Sequence, residues 1–586
     1  MTQHSLRKLL CITIAGLLYS CSPQRADTDV IRVRWSHDPE TLDPFQFSNQ
    51  ASLDAVNLLH LGLLEVDLTR LKYAPVLAES LPTTHLIGDS LTELRYTLRA
   101  AAAWDNGCPV LASDVAFTLK LMFCPDLPNE AARARFGFIE DITTTATAPR
   151  RFTLVCRGQS LEYLVASGDF PILSEAAIDP RGQLRRYSLR ALQRRPVTAP
   201  ADTVLLDVAR RYRAASPDQL PGLLPGCGPY ELVAWERDRY LTLRRKTNWW
   251  PDAQLQPVPA VLQALPKQLE YVIIPDAATA TLALRRGDLD VYPQMPAREY
   301  ARLQTSPSTS NPLRLYSSLS YSVVMAGFNT RQPVLADALT RQALSHCFDA
   351  AGLLEATQMG AGTRTVGILS PANRINYNDS LALIPFDLKR AAALLRQAGW
   401  QRGPEADAGW VRAVANRPRQ QLALRVRYRA EETLFATVAL QFQAAAAKIG
   451  VPVTLLPTES GTFSSSVHTG DFDVYVRMLN GNPFMFNFTP IFHSEAIGAG
   501  NTTGFDTPAS DHLIEAITTA ETEQRRAHLL RRFQALMQRE MPVVPLFFLP
   551  NRVAASSSLT GLQVSSLKPG YAVKTLVRAP QPSPAP

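Results

Sequence analysis

Apolar strands and amphipathic helices alternate in the second half of this chain, and that alternation constrains the fold more than any other feature. The pattern predicts three strands separated by two helices, over 422–428, 432–449, 451–456, 463–468 and 472–478. Such alternation is typical of an α/β domain with a largely parallel sheet. Ligands of such sheets bind beyond the carboxyl ends of the strands. The residues from Arg477 to Asn482 are therefore predicted to lie at a cleft.

A shorter stretch, residues 94–121, places three kinds of local structure in succession. The alternating residues 96–99 predict a strand, and residues 104–107 predict a turn, because their Asn-Gly pair tolerates positive φ. A helix is expected next, with Ser113 as its N-cap and Asp114 in the first turn, where the helix dipole favours a carboxylate.

The N-terminus has the features of a secretory signal. Arg7 and Lys8 precede an apolar run over 9–18, which is too short to span a bilayer comfortably. The run leads into Leu18-Tyr19-Ser20-Cys21, which resembles a bacterial lipobox. Residues 1–20 are therefore interpreted as a lipoprotein signal peptide, Cys21 as the lipidated first residue of the mature protein and 21–30 as a tether. The alternative is a cleaved, secreted protein in which Cys21 is incidental.

Charge and residue spacing argue against several functions. The formal net charge is +8, but the 60 basic and 52 acidic residues are interspersed, without the basic stripe and interleaved aromatic residues expected of a nucleic-acid-binding protein. The sequence contains no G-x-S-x-G, H-E-x-x-H or CxxC motif and no His/Cys cluster with metal-ligand spacing. We therefore predict no enzyme activity, no cofactor, no metal site and no nucleic-acid partner.

Five of the seven cysteines remain once the signal and the anchor are set aside. An odd number cannot all pair, so buried free thiols are expected, with one disulfide in the first half of the chain as the alternative. The five residues are Cys108, Cys124, Cys156, Cys227 and Cys347.

Several short motifs follow each other in one order along the chain. They are Leu42-Asp43-Pro44, Gly62-Leu63-Leu64, Trp104-Asp105-Asn106-Gly107-Cys108-Pro109-Val110, Gly226-Cys227-Gly228-Pro229-Tyr230 and Gly287-Asp288-Leu289-Asp290-Val291. In this order they resemble family 5 of the bacterial extracellular solute-binding proteins, the dipeptide, oligopeptide and nickel receptors of ABC importers. One position departs from the pattern, because Cys227 stands where the family's motif has a hydroxyl residue.

The resemblance implies an α/β fold of the two-lobed periplasmic-binding-protein type (type II, cluster C), with an extra subdomain inserted in the first lobe. Two crossing segments, near 314–330 and 538–546, would let the lobes close on a ligand like a flytrap. The expected divisions are lobe 1 over 31–47, 169–314 and 542–586, the inserted subdomain over 48–168 and lobe 2 over 315–541.

Two segments do not follow this pattern. Residues 183–224 have little periodicity and are interpreted as a surface insertion with some helix. The chain after Lys568 includes a Pro/Ala/Ser tail that is expected to be disordered.

The implied function is that of the membrane-anchored substrate-binding component of an ABC importer. It would capture a peptide-like solute between the lobes as a monomer and deliver it to the permease and ATPase subunits, on the periplasmic or cell-surface side of a bacterial membrane. The alternative is a lipoprotein that senses or scavenges peptides without a dedicated transporter. A nickel-complex receptor is a third interpretation, which the sequence neither supports nor excludes.

The ligand-binding residues are expected around the end of the strand 472–478. Peptide receptors of the family carry there a Trp shortly before an Asp that pairs with the peptide's amino terminus, and the matching residues here are Leu479 and Asn482. Since Asn offers no charge, the ion pair with a free α-amino group would be lost. The predicted ligand-binding residues are Phe47, Asn49, Arg477, Asn480, Gly481 and Asn482. The aromatic residues Phe484, Phe486 and Phe488 either line an apolar pocket or belong to the core.

Overall fold

The structure is a computed structural model that describes residues 29–46, 49–88, 90–196, 199–215, 224–306, 311–403, 409–414 and 417–579. The predicted signal peptide, Cys21, most of the tether and Phe47 lie outside the described residues, as do the last seven residues of the Pro/Ala/Ser tail.

The first half of the chain contributes eleven strands in the described residues. They are β1 (Val30–Trp35), β2 (Leu64–Asp67), β3 (Lys72–Pro75), β4 (Thr83–Ile87), β5 (Leu91–Thr97), β6 (Ile139–Thr144), β7 (Arg151–Arg157), β8 (Tyr230–Glu236), β9 (Tyr240–Arg245), β10 (Gln268–Ile273) and β11 (Val291–Tyr292).

The second half contributes eleven more. They are β12 (Leu313–Phe328), β13 (Thr363–Arg364), β14 (Gln401–Arg402), β15 (Trp410–Val414), β16 (Arg417–Gln421), β17 (Leu424–Arg429), β18 (Val453–Thr458), β19 (Val474–Asn480), β20 (Val543–Ser556), β21 (Leu559–Thr560) and β22 (Val577–Arg578).

The α-helices pack on both faces of the main sheet and around the smaller ones. They span Gln50–Leu59, Ala112–Met122, Glu130–Phe136, Tyr163–Ala166, Glu175–Ile178, Leu189–Gln193, Thr203–Ala214, Trp250–Gln254, Ala277–Arg286, Ala297–Thr305, Ala338–Ser345, Ala350–Gln358, Leu388–Gln397, Thr433–Lys448, Ser460–Thr469, Thr489–Phe492, Pro508–Thr518 and Glu523–Glu540. None of the described helices is both long and apolar enough to cross a membrane.

One eleven-stranded sheet runs through the molecule in the order β18-β17-β19-β12-β20-β11-β1-β10-β9-β8, with β13 beside β20. The neighbours β17–β18, β17–β19, β1–β10 and β1–β11 are parallel, and the other pairs are antiparallel. The predicted alternation of strands and helices in the second half is confirmed, since β17, β18 and β19 are separated by the helices Thr433–Lys448 and Ser460–Thr469.

The long strands β12 and β20 pair with each other and connect two lobes. Residues 313–319 of β12 pair with 550–556 at the first-lobe end, and residues 323–327 pair with 543–548 at the second-lobe end. The register shifts between Leu319 and Val323. In the second lobe, successive residues of β12 point to opposite faces, so Val324 and Ala326 join one apolar core and Met325 joins the other. The expected α/β, two-lobed fold is confirmed.

The subdomain of the first lobe contains a four-stranded antiparallel sheet in the order β4-β5-β7-β6. The predicted strand over 96–99 overlaps the end of β5 at residues 96 and 97, and the predicted helix is Ala112–Met122. The prediction that Ser113 caps this helix is wrong. Leu111 occupies the N-cap position, and the buried Asp114 carboxylate accepts N–H groups from both Leu111 and Glu175, each at 2.9 Å. A carboxylate that joins two backbone segments stabilises more than a single hydroxyl cap would.

The segment 183–224 was predicted to be a surface insertion with some helix. The helix is confirmed, but the surface placement is wrong for the described part of the segment. It forms a 3-10 turn over Gln183–Arg186 and the helices Leu189–Gln193 and Thr203–Ala214, whose apolar sides are fully buried in the first-lobe core. The buried positions 205, 208, 209 and 212 of the longer helix follow a helical period. Tyr212 also donates its hydroxyl proton to the Asp43 carboxylate at 2.6 Å.

All five described cysteines are free thiols. Four are buried, as expected, whereas Cys108 is exposed.

Two adjacent leucines in the helix Thr203–Ala214 test whether this segment belongs to the core. Leu205 is fully buried and Leu206 is 41% exposed. Leu205→Ala should lower the free energy of unfolding by about 2–5 kcal/mol, because it removes buried methyl groups and leaves a cavity. Leu206→Ala should change it by about 0.5 kcal/mol or less. Urea unfolding of both variants checks the difference, and equal effects would contradict the buried placement.

Candidate functional site

A cavity of about 580 Å³ lies between the two lobes. The first lobe supplies the helix Gln50–Leu59, the hairpin around β2 and β3 and the segment 563–575. The strand β12 supplies Tyr321 and Ser322 at its register shift, and the second lobe supplies residues 480–484. A solute in this cavity would therefore touch both lobes and the strand that joins them.

The cavity wall from the second lobe begins where β19 ends. Asn480 accepts the Ser322 hydroxyl proton at 2.8 Å, and Gly481 donates its N–H to the Tyr321 carbonyl at 2.8 Å. A Cβ atom on Gly481 would lie 3.0 Å from that carbonyl oxygen, so the close pairing favours glycine. The side-chain oxygen of the exposed Asn482 accepts the Phe484 N–H at 2.9 Å, which fixes the turn that follows. These three predicted residues are brought together at the cavity.

Asn49 and Arg477 do not line this cavity in the described structure. Asn49 caps the helix Gln50–Leu59, because its side-chain oxygen accepts the Ser52 N–H at 2.8 Å. The Arg477 guanidinium lies above an aromatic ring, with its central carbon 4.9 Å from the centre of the Tyr475 ring. The helix cap and the ring contact give both side chains a structural role.

Asp54 is a half-buried carboxyl group in the cavity wall that the sequence pattern did not single out. Gln50 donates its side-chain N–H to Asp54 at 2.7 Å. Burial raises the pKa of Asp54 to about 7, although hydrogen bonds from Gln50 and Trp35 and the nearby Lys568 ammonium act in the opposite direction. At neutral pH this carboxyl group is therefore divided between its protonated and ionised forms.

Two buried tyrosines form the wall beside Asp54. Trp35 stacks on Tyr271 with a centroid distance of 3.8 Å, and the Tyr271 and Tyr571 hydroxyls are hydrogen-bonded to each other. Burial raises the pKa of each tyrosine well above the usual value for a tyrosine, so both hydroxyls stay protonated. This side of the cavity thus combines flat aromatic surface with a few hydrogen-bonding groups, as small-molecule sites commonly do.

Most of the remaining charges in the wall are paired. Asp169 accepts hydrogen bonds from the Arg135 guanidinium and, at 2.8 Å, from the Tyr73 hydroxyl. The Lys574 ammonium and the Glu65 carboxylate are 2.5 Å apart. These pairs hold the first-lobe wall in place before any ligand arrives.

The loop 481–488 crosses the cleft and contacts the first lobe directly. The Phe484 ring meets the Tyr73 ring edge-on at 4.9 Å. The buried Glu162 carboxylate accepts the N–H groups of Phe486 and Asn487. Burial raises the pKa of Glu162, and these N–H groups and the Arg526 guanidinium lower it. These contacts join the lobes in a closed arrangement.

The three phenylalanines of this loop divide between the two expected roles. Phe484 lines the cavity, whereas Phe486 and Phe488 are buried in the second-lobe core. The Phe486 ring lies 4.9 Å from the Arg526 guanidinium carbon, and the Phe488 ring stacks on Phe533 with centroids 5.0 Å apart.

Comparisons with known proteins agree with this geometry. A family model described as "Bacterial extracellular solute-binding proteins, family 5 Middle" matches residues 72–498. The dipeptide-binding protein of Pseudomonas aeruginosa is 22% identical over 539 residues, which cover 90% of this chain and 91% of that protein. Heme-binding protein A of Haemophilus influenzae is 26% identical over 341 residues, which cover 57% of this chain and 56% of that protein.

Solved structures share the fold over most of the chain. The oligopeptide-binding protein AppA from Bacillus subtilis, in complex with a nonapeptide, superposes with a TM-score of 0.72 at 18% identity and covers 94% of this chain and 99% of its own. NikZ from Campylobacter jejuni, in complex with Ni(L-His), superposes with a TM-score of 0.69 at 15% identity and covers 94% of this chain and 100% of its own. Among the described residues, no group of three or more His, Cys, Asp and Glu side chains is placed to hold a metal ion.

The raised pKa of Asp54 predicts how one substitution changes the pH dependence of stability. The unfolded chain ionises Asp54 near pH 3.8 and the folded chain near pH 7, so folded-state stability falls as pH rises between these values. Asp54→Asn keeps the shape and cannot ionise. Its melting temperature relative to the wild-type protein should therefore increase from pH 5 to pH 8. A constant difference across this range in thermal denaturation would contradict the assignment.

Proposed function

We propose that this chain, which belongs to family 5 of the bacterial extracellular solute-binding proteins, captures a peptide-like solute between its lobes and delivers it to the permease of an ABC importer. The observation that carries the proposal is the cavity between the lobes, whose wall includes Asn480, Gly481 and Asn482 at the carboxyl end of β19. Proteins of this family are solute-binding receptors that act outside the cytoplasm, and their role is binding rather than catalysis.

Hinge closure would couple binding to delivery. A solute that contacts both lobes gains its full set of interactions only when they are closed, so it shifts the open–closed equilibrium by that difference in contact free energy. The closed form is then the one that a permease would recognise. The contacts of the loop 481–488 with Tyr73 and Glu162 support this mechanism, because they join the two lobes.

A peptide-like solute fits the chemistry of the wall. Peptides carry charges of both signs and a backbone of alternating donors and acceptors, and the wall contains both carboxylates and basic side chains beside amide and hydroxyl groups. The dipeptide-binding protein of Pseudomonas aeruginosa matches nearly the whole chain, which supports this class of solute.

Membrane attachment completes the proposal. Cys21 would carry the lipid, and residues 22–29 would connect it to β1, so the receptor would act as an anchored monomer near its permease. The alternative, a lipoprotein that senses or scavenges peptides without a dedicated transporter, would use the same cavity and the same closure. Co-purification with a permease distinguishes the two.

A thermal-shift screen tests the binding proposal. Oligo-alanine peptides of two to eight residues are the probes, with free amino acids, oligosaccharides and nickel complexes as the other classes. A ligand at 100 times its dissociation constant should stabilise the closed protein by about 2.7 kcal/mol, which raises the melting temperature measurably.

N-acetylation of the binding peptide is the matched control in this screen. Because Asn482 carries no charge, acetylation should weaken binding by less than about threefold, well below the roughly tenfold that corresponds to 1.4 kcal/mol. A screen in which no peptide raises the melting temperature would contradict the proposed function.

A further inference from the structure

Four basic side chains line the cavity, and three of them have acidic partners. Arg135 pairs with Asp169, Lys574 with Glu65, and the Arg70 and Asp67 side chains approach to 3.9 Å. The fourth is Lys568, whose ammonium has no hydrogen bond and no ion pair within 4.0 Å in the described part of the chain. It is therefore the cation of this wall that remains available to a ligand.

Lys568 is held on a rigid turn rather than on a flexible loop. The turn spans Ser565–Gly570, and the Gly570 N–H closes it by donating to the Leu567 carbonyl at 2.8 Å. Asn551 donates its side-chain N–H to the Ser565 carbonyl at 3.0 Å, and Ser318 donates its hydroxyl proton to the same carbonyl at 2.8 Å. Since Ser318 and Asn551 face each other on β12 and β20, the turn is attached to the strands that join the lobes.

The acidic groups nearest to Lys568 are already engaged or partly neutralised. Asp54 has a pKa of about 7 because burial raises it, so it carries only part of a charge at neutral pH. Glu432, from the second lobe, is paired with Arg429 at 3.5 Å. Burial lowers the pKa of Lys568, while Glu432 and Asp54 raise it and Arg429 lowers it. Burial removes part of the water from this half-buried ammonium, and a ligand carboxylate at hydrogen-bond distance would offset that loss.

We propose that Lys568 binds a carboxylate of the solute and thereby makes this receptor specific for ligands with an acidic end. The inference rests on the proposed function and adds the direction in which the ligand lies in the cavity, with its carboxylate at Lys568. The carboxylate would lie near the turn Ser565–Gly570, on the first-lobe side of the hinge. A charge-assisted hydrogen bond from an ammonium to a carboxylate is stronger than a neutral one.

A series of peptides distinguishes two sources of the carboxylate, the C-terminus of the peptide and an acidic side chain. The binding oligo-alanine peptide is compared with its C-terminal amide and with an amide of the same length that has one Asp side chain. Full-length protein is titrated with each peptide by isothermal calorimetry. Amidation should weaken binding to the wild-type protein by about tenfold or more, which corresponds to about 1.4 kcal/mol. Recovery of affinity with the Asp-containing amide would identify a side-chain carboxylate as an equally good partner.

Lys568→Gln is the test variant and Arg70→Gln is its matched control, since both remove one positive charge from the same wall. Arg70 is 77% exposed and only loosely paired. The tenfold preference for the free carboxylate should fall below about threefold in Lys568→Gln and persist in Arg70→Gln. Because it removes an unpaired charge, Lys568→Gln should not lower the melting temperature of the ligand-free protein.

Three results would overturn the inference. One is equal binding of the acid and the amide by the wild-type protein. Another is an unchanged preference in Lys568→Gln, or an equal loss in both variants. The third is a lower melting temperature of ligand-free Lys568→Gln, which would assign Lys568 a structural role. Peptide binding without a carboxylate preference would leave the proposed function standing, whereas the absence of any peptide binding would overturn both.

Discussion

The pairing of β12 with β20 is the constraint on which the rest of the structure depends. Both strands extend through the two lobes, and they belong to one continuous sheet. Their register shifts between Leu319 and Val323, where Ser320 donates its hydroxyl proton to the Leu549 carbonyl at 2.6 Å. A second, smaller shift lies between Val324 and Met325. A pair of strands that is irregular over this short stretch can bend there while the ladders on both sides stay intact, which is the mechanical requirement of a hinge.

The cavity takes its position from the same two strands. On the second-lobe side, Asn480 and Gly481 are fixed to Ser322 and Tyr321 of β12. On the first-lobe side, the turn that carries Lys568 is fixed to Ser318 and Asn551. Bending at the register shift would therefore move two sets of cavity-lining groups relative to each other, so the contacts of a solute between them would depend on closure. The contacts of Glu162 and Tyr73 with the loop 481–488 also join the lobes, and the contact between Tyr73 and Phe484 forms part of the cavity wall.

The sequence predicted the elements whose signals are local. The alternation that predicts β17, β18 and β19 is visible in consecutive residues. The rule that ligands bind beyond the carboxyl ends of parallel strands was enough to place residues 480–482 at the cleft. The burial of the helix Thr203–Ala214 was missed although its buried positions have a helical period, because the surrounding Arg-rich composition suggested a surface segment. Asp54 and Lys568 have no local signal at all. Their proximity depends on the fold bringing together residues more than 500 positions apart, and no spacing in the sequence encodes that.

Closure of the lobes on a solute is the central claim, and the distance between the lobes tests it most directly. Spin labels on the cysteines of a Leu206→Cys and Leu440→Cys variant would report this distance by pulsed electron paramagnetic resonance, since both leucines are exposed and lie in different lobes. A Cys108→Ser background and a chain that begins at Ser22 would leave only buried native thiols among the described cysteines. We expect a broad distribution without ligand and a shorter, narrower one with a binding peptide. An identical distribution at saturating peptide would contradict the account.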